Sequence, residues 1–141
     1  MTASLKAQVY EIYQAFSAGR LDQLADMFDE NVEFSSNAPH ALFPYLGSRT
    51  GRADVMKALE AVHQEFQEVS FMPVWIVAED DTAAMLVSAR ATRRATGHVI
   101  HFFAAHFMQF RDGRIAVYRA IMDASEAVQQ ILERELDFGR A

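Results

Sequence analysis

The sequence of 141 residues contains no cysteine, and only three prolines and six glycines. The absence of cysteine excludes a disulfide scaffold, a cysteine-ligated zinc site and a catalytic thiol. No apolar run approaches the roughly 18 residues that a membrane-spanning helix needs. Gln8, Glu11 and Gln14 interrupt the first apolar segment, so we do not expect a signal peptide. Basic residues are also scarce, because 13 Lys and Arg stand against 19 Asp and Glu, for a net charge of −6. That balance argues against nucleic acid or an acidic membrane surface as a partner.

Apolar residues, in contrast, are abundant. They make up 51% of the chain and include 11 phenylalanines. A chain of this length buries enough surface to fold as one domain without covalent staples. No linker, repeat or low-complexity tract divides it. We therefore expect a single cytoplasmic domain over residues 1–141.

The spacing of apolar residues changes from helical to extended along the chain. It predicts helices, then a short strand, a long loop, a third helix, four further strands and a last helix. The helices cover 5–16, 21–28 and 52–66, the strands cover 32–34, 70–78, 82–94, 98–111 and 114–122, and the loop covers 35–52. The last helix has Val128, Ile131 and Leu132 on its apolar face, after a capping-box spacing from Asp123 to Glu126. This order predicts an α+β fold in which helices cover one face of a curved antiparallel sheet.

The strand pair around Thr96 and Gly97 has two apolar faces. If these two residues form the turn, Met85 lies opposite Met108 and side chains alternate between the faces. An antiparallel sheet needs only one face for its core, so the outer face calls for a partner. We expect a homodimer through this outer face, although the last helix or a loop of the same chain could cover it instead. The outer-face residues are Arg90, His101, Phe103, Ala105 and Phe107.

The inner face of the same pair alternates large residues with Ala89, Ala91 and Ala104, and it carries one titratable side chain, His106. Small residues beneath a layer of helices leave room for a ligand cavity. The alternative is that phenylalanine and methionine side chains from the helices fill the space, since close packing is normal in protein interiors.

Several segments resemble one known family in the same order along the chain. They are YQAFSAG (13–19), ADMFDENVEF (25–34), GRADV (51–55), FRDGRI (110–115) and YRAIMD (118–123). Together they resemble the nuclear-transport-factor-2-like superfamily, in its branch of SnoaL-like polyketide cyclases and ketosteroid isomerases. The resemblance implies a cone-shaped α+β barrel, or cystatin-like roll, whose curved antiparallel sheet wraps around the N-terminal helices. It also implies an apolar pocket inside the cone and, in many members, dimers through the outside of the sheet.

The resemblance implies candidate site residues as well. In ketosteroid isomerase-like members the catalytic base stands where this chain has Ser36, and a serine hydroxyl is a weak base. The tyrosine donor falls near Ile12, next to Tyr13, and the second donor falls on His106. We expect His106 to act as a general acid/base or as an oxyanion donor, with Ser36 and a tyrosine such as Tyr118 as hydrogen-bonding partners. The expected ligand-binding residues are Tyr13, Phe16, Phe34, Leu59, Val87, Ala89, Ile100, Phe102, Ala104, Met108, Tyr118, Ala120 and Met122.

Other chemistries fit less well. The Asp–Arg–Asp set of epoxide hydrolase-like members falls on Val87, Ala89 and Ala120, none of which can transfer a proton. Asp123 matches the aspartate of the cyclases, but it also has the spacing of a helix N-cap.

No metal site and no cofactor are expected. His101 points to the opposite face from His98 and His106, which lie about 26 Å apart at about 3.3 Å per residue. Arg93 could hold a ligand carboxylate if it faced the cavity mouth.

Two hypotheses of different kinds remain open. The first is an isomerase or cyclase that acts on a small apolar carbonyl compound. The second is a non-catalytic, dimeric module that binds a small hydrophobic molecule.

Overall fold

The computed structural model describes residues 4–40 and 43–123. Helices and strands follow one another in the predicted order, except that the predicted loop contains a two-residue strand, β2. The elements are α1 (Leu5–Ser17), α2 (Leu21–Ala25), β1 (Phe28–Ser36), β2 (Arg49–Thr50), α3 (Arg52–Glu65), β3 (Phe66–Glu79), β4 (Thr82–Arg93), β5 (Val99–Arg111) and β6 (Arg114–Met122). The predicted last helix, with Val128, Ile131 and Leu132, lies outside the described residues.

Both ends of α1 have local causes in the sequence. The Ser4 hydroxyl accepts a hydrogen bond from the backbone N–H of Ala7 at 3.1 Å and caps the first turn. Gly19 follows the helix with φ 74°, a left-handed conformation that glycine adopts without strain. These caps fix the length of α1 and therefore the height at which Tyr13 and Phe16 face the sheet.

The six strands form one curved sheet in the order β2-β1-β6-β5-β4-β3. All neighbouring pairs are antiparallel except β1 and β6, which run parallel. Because β2 and β3 are the edges of the sheet described here, it forms an open cone rather than a closed barrel. Helix α1 lies against β3 and reaches β4, and α3 covers β1. The α+β cone is confirmed.

Two turns show how accurately turn residues can be read. Asp112 and Gly113 both have positive φ, 51° and 78°, and join β5 to β6 in a two-residue turn, as predicted. The turn predicted at Thr96 and Gly97 is wrong in length, because residues 94–97 form a four-residue loop. Arg93 accepts from the N–H of Gly97 and donates its own N–H to His98.

The longer loop shifts the register between β4 and β5 by two residues. Met85 therefore lies opposite His106, not opposite Met108, which pairs with Ala83. A shift of two residues keeps every side chain on its face, since strand side chains alternate with period two. The predicted division into inner and outer faces is confirmed although the pairing was wrong.

Three element boundaries also differ from the prediction. β3 begins at Phe66 rather than at residue 70, α2 ends at Ala25 rather than at 28, and β1 extends from Phe28 to Ser36. Bulges between Gln67 and Ser70 and between Pro73 and Trp75 disturb the alternation along β3.

The core lies between the helices and the inner face of the sheet. Val9 and Ile12 of α1, Val55 of α3 and Val87 of β4 are among its fully buried side chains. No helix in residues 4–40 and 43–123 is long and apolar enough to cross a membrane.

Candidate functional site

Three polar side chains meet inside the cone. Tyr13 faces the sheet from α1, His106 lies in the middle of β5, and Tyr118 lies on the neighbouring strand β6. The Tyr13 and His106 residues are only 2% and 3% exposed, and Tyr118 is partly buried. The Tyr13 Oη lies 2.6 Å from His106 Nδ1, and the Tyr118 Oη lies 2.8 Å from the same nitrogen. The two phenol oxygens are 3.5 Å apart. The sequence predicted His106 and a tyrosine partner, and the structure places two tyrosines there.

Burial determines the charge state of all three groups. It lowers the pKa of His106 to about 3, because an imidazolium loses its hydration inside an apolar cone. Burial also raises the pKa of Tyr13 well above its usual value, with a further contribution from Tyr118. The pKa of Tyr118 is raised by burial as well, an effect that its hydrogen bond to Tyr13 partly offsets. Near neutral pH the cluster therefore consists of two neutral phenols and one neutral imidazole.

A count of protons shows what this cluster offers. It holds two O–H protons and one N–H proton. Nδ1 of His106 either accepts a hydrogen bond from one tyrosine hydroxyl or donates one to a phenol oxygen. The hydroxyl of the other tyrosine can then at most donate to the oxygen of the first. In each arrangement at least one O–H or N–H finds no acceptor within the cluster. Within residues 4–40 and 43–123, no other residue forms a hydrogen bond with these side chains. The cluster is thus a hydrogen-bond donor with spare capacity.

The three side chains line a cavity of about 100 Å³. Its wall is almost entirely apolar, and the described residues contribute no Asp, Glu, Lys or Arg to it. Of the residues predicted to contact a ligand, the lining includes Tyr13, Phe16, Phe34, Leu59, Ile100, Phe102, Ala104, Tyr118, Ala120 and Met122, and it includes Ser36 and His106.

Ser36 lies on the same row of the sheet as His106 but does not touch it. Ser36 of β1 pairs with Ala120 of β6, which pairs in turn with His106 of β5. Two strand spacings of about 4.8 Å therefore separate Ser36 from His106. The Ser36 hydroxyl accepts from the N–H of Ala38 at 3.2 Å, and its own proton is free to reach toward the cavity.

Three predicted ligand-binding residues do not line the cavity. Val87, Ala89 and Met108 have the predicted inward orientation and are fully buried. They belong to the packed core instead. Asp123 lies just beyond β6, is exposed, and is also not part of the lining.

Several lining residues were missed as ligand contacts. Phe71 comes from β3, where the bulges obscure which side chains point inward. Phe43, Tyr45 and Leu46 come from the loop between β1 and β2. The aromatic content of that loop was the only signal for them. Tyr45 donates its hydroxyl proton to Glu65 at the end of α3, which anchors the loop.

A metal centre is not evident at the site. In the described part of the chain, no group of three or more His, Asp or Glu side chains is placed to hold an ion. His101 lies on the outer face, where its Nε2 is 3.0 Å from the Ser88 hydroxyl.

The outer face of the sheet is broadly apolar and exposed. Trp75, 70% exposed, and Val77, 60% exposed, extend the face predicted from β4 and β5. The register aligns them with neighbours across four strands. The two rows are Trp75–Leu86–Ala105–Ile121 and Val77–Ala84–Phe107–Arg119. Trp75 was missed because β3 could not be divided into faces from the sequence.

Comparisons with known proteins agree with this fold. Residues 9–118 match the family model described as the SnoaL-like domain. A provisionally assigned isomerase from Rhodopseudomonas palustris has a similar structure, with a TM-score of 0.84 and 24% identity over 94% of this chain and 99% of its own.

Two further solved structures share the fold at lower identity. TerC, co-crystallised with polyporic acid, has a TM-score of 0.78 and 16% identity over 89% of this chain and 95% of its own. IdmH, a provisionally assigned polyketide cyclase from Streptomyces antibioticus, has a TM-score of 0.76 and 19% identity over 89% of this chain and 96% of its own. No curated protein matches the sequence.

Proposed function

The chain belongs to the SnoaL-like domain family, and from this premise we propose that it binds a small, largely apolar molecule through a carbonyl-type oxygen. The observation that supports this most strongly is the spare donor of the Tyr13–His106–Tyr118 cluster inside an apolar cavity. Leaving a buried N–H or O–H without an acceptor costs about 1–3 kcal/mol, and a ligand oxygen would remove that cost. A relative of the same fold, TerC, has been crystallised with polyporic acid, a small organic molecule.

The character of the cavity restricts the ligand. Its volume of about 100 Å³ is smaller than that of an apolar cavity of about 150 Å³ that holds a benzene molecule, so without movement of the wall only a small ring or a slender chain fits. Among the described residues no anionic side chain lines the cavity, so a cationic ligand would have no counter-charge from them. A ligand with one hydrogen-bond acceptor and an otherwise apolar surface can accept a hydrogen bond from the cluster and pack against the apolar wall.

His106 acts in this proposal as an oxyanion-type donor partner and not as an acid/base group. With a pKa of about 3 it carries no proton to give as imidazolium near neutral pH, and it is a weak base. Ser36 supplies a second hydroxyl on the same row of the sheet. Asp123 is exposed outside the cavity and has no part in the proposed contact.

Calorimetric titration with two probes of the same shape tests the binding proposal. Cyclohexanone carries the oxygen acceptor, and methylenecyclohexane replaces it with an apolar group. We expect cyclohexanone to bind about tenfold more tightly, as one hydrogen bond of about 1.4 kcal/mol requires. Equal affinities, or no binding of either probe, would contradict the proposal.

Carbonyl chemistry is a second candidate, which the isomerase and cyclase assignments of two structural neighbours favour. Donors aimed at a carbonyl oxygen stabilise the enolate that such reactions form. The lining holds no carboxylate base, so a bound ketone should lose its α-protons no faster than in buffer. Exchange of the α-protons of cyclohexanone in D₂O, followed by NMR, distinguishes binding alone from catalysis of carbonyl chemistry. Exchange that the protein accelerates and that His106→Gln abolishes would establish catalysis.

We also propose that the protein forms a homodimer through the outer face of the sheet. Four strands present apolar side chains there, and contiguous apolar patches of this kind are rarely left exposed in soluble monomers. Arg90, His101, Phe103, Ala105 and Phe107, together with Trp75 and Val77, would lie in the interface. Two copies of the same sheet face can pair about a two-fold axis, since the same patch then meets itself.

A further inference from the structure

Arg93 lies on β4 just beyond the cavity residue Ala91, at the side of the cavity away from His106, and it is not itself part of the lining. It continues the inward row of β4 two residues beyond Ala91, and it pairs directly with Phe66 of β3. Ala91 and Phe66 both line the cavity. Tyr45, a third lining residue, feels the charge of Arg93, which lowers the pKa of its phenol against larger opposing effects of burial and of Glu65. Arg93 is thus flanked by three residues of the cavity wall.

The guanidinium of Arg93 is only partly satisfied. Its Nη2 lies 3.5 Å from Glu65 Oε1, a loose ion pair, while the other oxygen of Glu65 accepts from Tyr45. Its Nε is buried, with almost no accessible surface, and has no hydrogen-bond partner among the described residues, so a ligand oxygen reaches it only when neighbouring side chains of the cavity wall move. Arg93 Nε is the one buried side-chain nitrogen or oxygen atom of which this is true in residues 4–40 and 43–123. Such an atom in a native structure calls for a specific explanation, because it carries the full cost of lost hydration.

The geometry points to Arg93 as a second polar contact for the ligand, one that donates from Nε to a neutral oxygen such as a carbonyl, hydroxyl or ether. This inference rests on the proposed function, because it assumes that the cavity holds a ligand. A neutral oxygen fits better than the carboxylate considered from the sequence, since Glu65 already balances the charge of Arg93. A second carboxylate would lie beside that of Glu65 and be repelled by it. The ligand would then be slender and apolar, with an oxygen at each end.

Linear methyl ketones and the diketones of the same chain length test this inference by calorimetric titration. The diketone carries a second carbonyl at its far end. We expect one chain length at which the wild-type protein binds the diketone about tenfold more tightly than the monoketone. Arg93→Met, which keeps the length of the side chain but removes its donors, should abolish that preference and leave monoketone binding unchanged.

Glu65→Gln provides the matched control. It breaks the ion pair but keeps an oxygen that can accept from Tyr45, and it leaves Arg93 Nε in place. If Arg93 acts only as a partner of Glu65, the two variants should behave alike. If Nε contacts the ligand, Glu65→Gln should keep the diketone preference.

Two results would overturn the inference. One is equal affinity of the monoketone and the diketone at every chain length. The other is a preference for the diketone that persists in Arg93→Met. Failure of every ketone to bind would instead contradict the proposed function, so the two failures are distinguishable. A crystal structure of the diketone complex should place its second oxygen within hydrogen-bond distance of Nε, and an ordered water there instead would also count against it.

Discussion

The hydroxyl of Tyr13 on the first helix lies 2.6 Å from Nδ1 of His106 in the middle of β5. This contact joins the helix to the sheet across 93 positions of sequence, and Tyr118 approaches the same nitrogen from β6. An imidazole nitrogen with a single lone pair cannot use both hydroxyl protons. In the proposed function, this surplus donor is the group that the oxygen atom of a ligand would accept from.

The buried, neutral state of His106 predicts a pH dependence of stability. Its pKa is about 3 in the fold and about 6.5 in the unfolded chain, so the unfolded state binds more protons between these values. The free energy of unfolding should therefore fall as the pH is lowered from about 6 to about 4, by roughly 1 kcal/mol per pH unit from this residue. Urea denaturation at a series of pH values measures the slope.

His106→Gln should flatten that slope, because glutamine does not titrate. Met108→Leu, a conservative change on the same strand that removes no titratable group, serves as the control and should leave the slope as in the wild type. An unchanged slope in His106→Gln would show that His106 does not titrate as its burial requires.

Either tyrosine hydroxyl alone should be enough to maintain most of the free energy of unfolding that the pair contributes. Tyr13→Phe or Tyr118→Phe removes one hydroxyl, but the remaining one still satisfies Nδ1, so each should cost about 1 kcal/mol or less. The double variant leaves the buried nitrogen without a partner and should cost more than the sum of the two, by roughly 1–2 kcal/mol. A double-mutant cycle from denaturant curves measures this coupling. Strict additivity would show that the two hydroxyls do not share the nitrogen.

Replacing an inner-face alanine with leucine should have a different effect at two positions, because only one of them lines the cavity. Ala104 lines the cavity, and Ala89 is fully buried in the packed core of the same sheet. Ala104→Leu should fill the cavity, lower the affinity for cyclohexanone at least about tenfold and leave the free energy of unfolding within about 1 kcal/mol. Ala89→Leu should overpack the core and destabilise the fold by about 1–3 kcal/mol. If both variants lose stability equally, the cavity is not where the structure has it.

Variants that disrupt the proposed dimer should have the mass of a monomer in solution. Phe103→Asp or Phe107→Asp places a charge on the outer face and should produce monomers in sedimentation velocity, and Trp75→Asp should do the same from β3. Tyr10→Asp, at an exposed position on α1, is the control and should remain dimeric. An unchanged sedimentation coefficient in the three sheet variants would refute this interface.

How far the sequence predicted the fold depended on the length of the regular segments. The alternation along β4 and β5 was long enough to assign Ala104 and His106 to the inner face, even with the turn at Thr96 and Gly97 misplaced. It could not do so for β3, because two bulges shift the period and hide the outward position of Trp75 and the inward one of Phe71.

The site residues could be predicted only in part, because the sequence does not show how the helices pack on the sheet. Alternation indicates which way His106 points, but not which helix residue lies above it. Tyr13 bonds to His106 because the Ser4 cap and the docking of α1 on β3 set the rotation of the helix, and no periodicity shows that. Packing likewise decides that Val87, Ala89 and Met108 are core residues and not cavity wall, since it depends on where α1 rests.

The infrared spectrum of bound cyclohexanone, labelled with ¹³C at its carbonyl, tests the central claim most directly. Hydrogen bonding from the cluster polarises the C=O bond, so its stretching frequency should lie below the value in hexane when the wild-type protein binds the probe. The shift should shrink in Tyr13→Phe and in Tyr118→Phe, and it should be smallest in the double variant, in which only the N–H of His106 remains as a donor. A bound carbonyl whose frequency matches that in hexane, or does not respond to either tyrosine, would contradict the account.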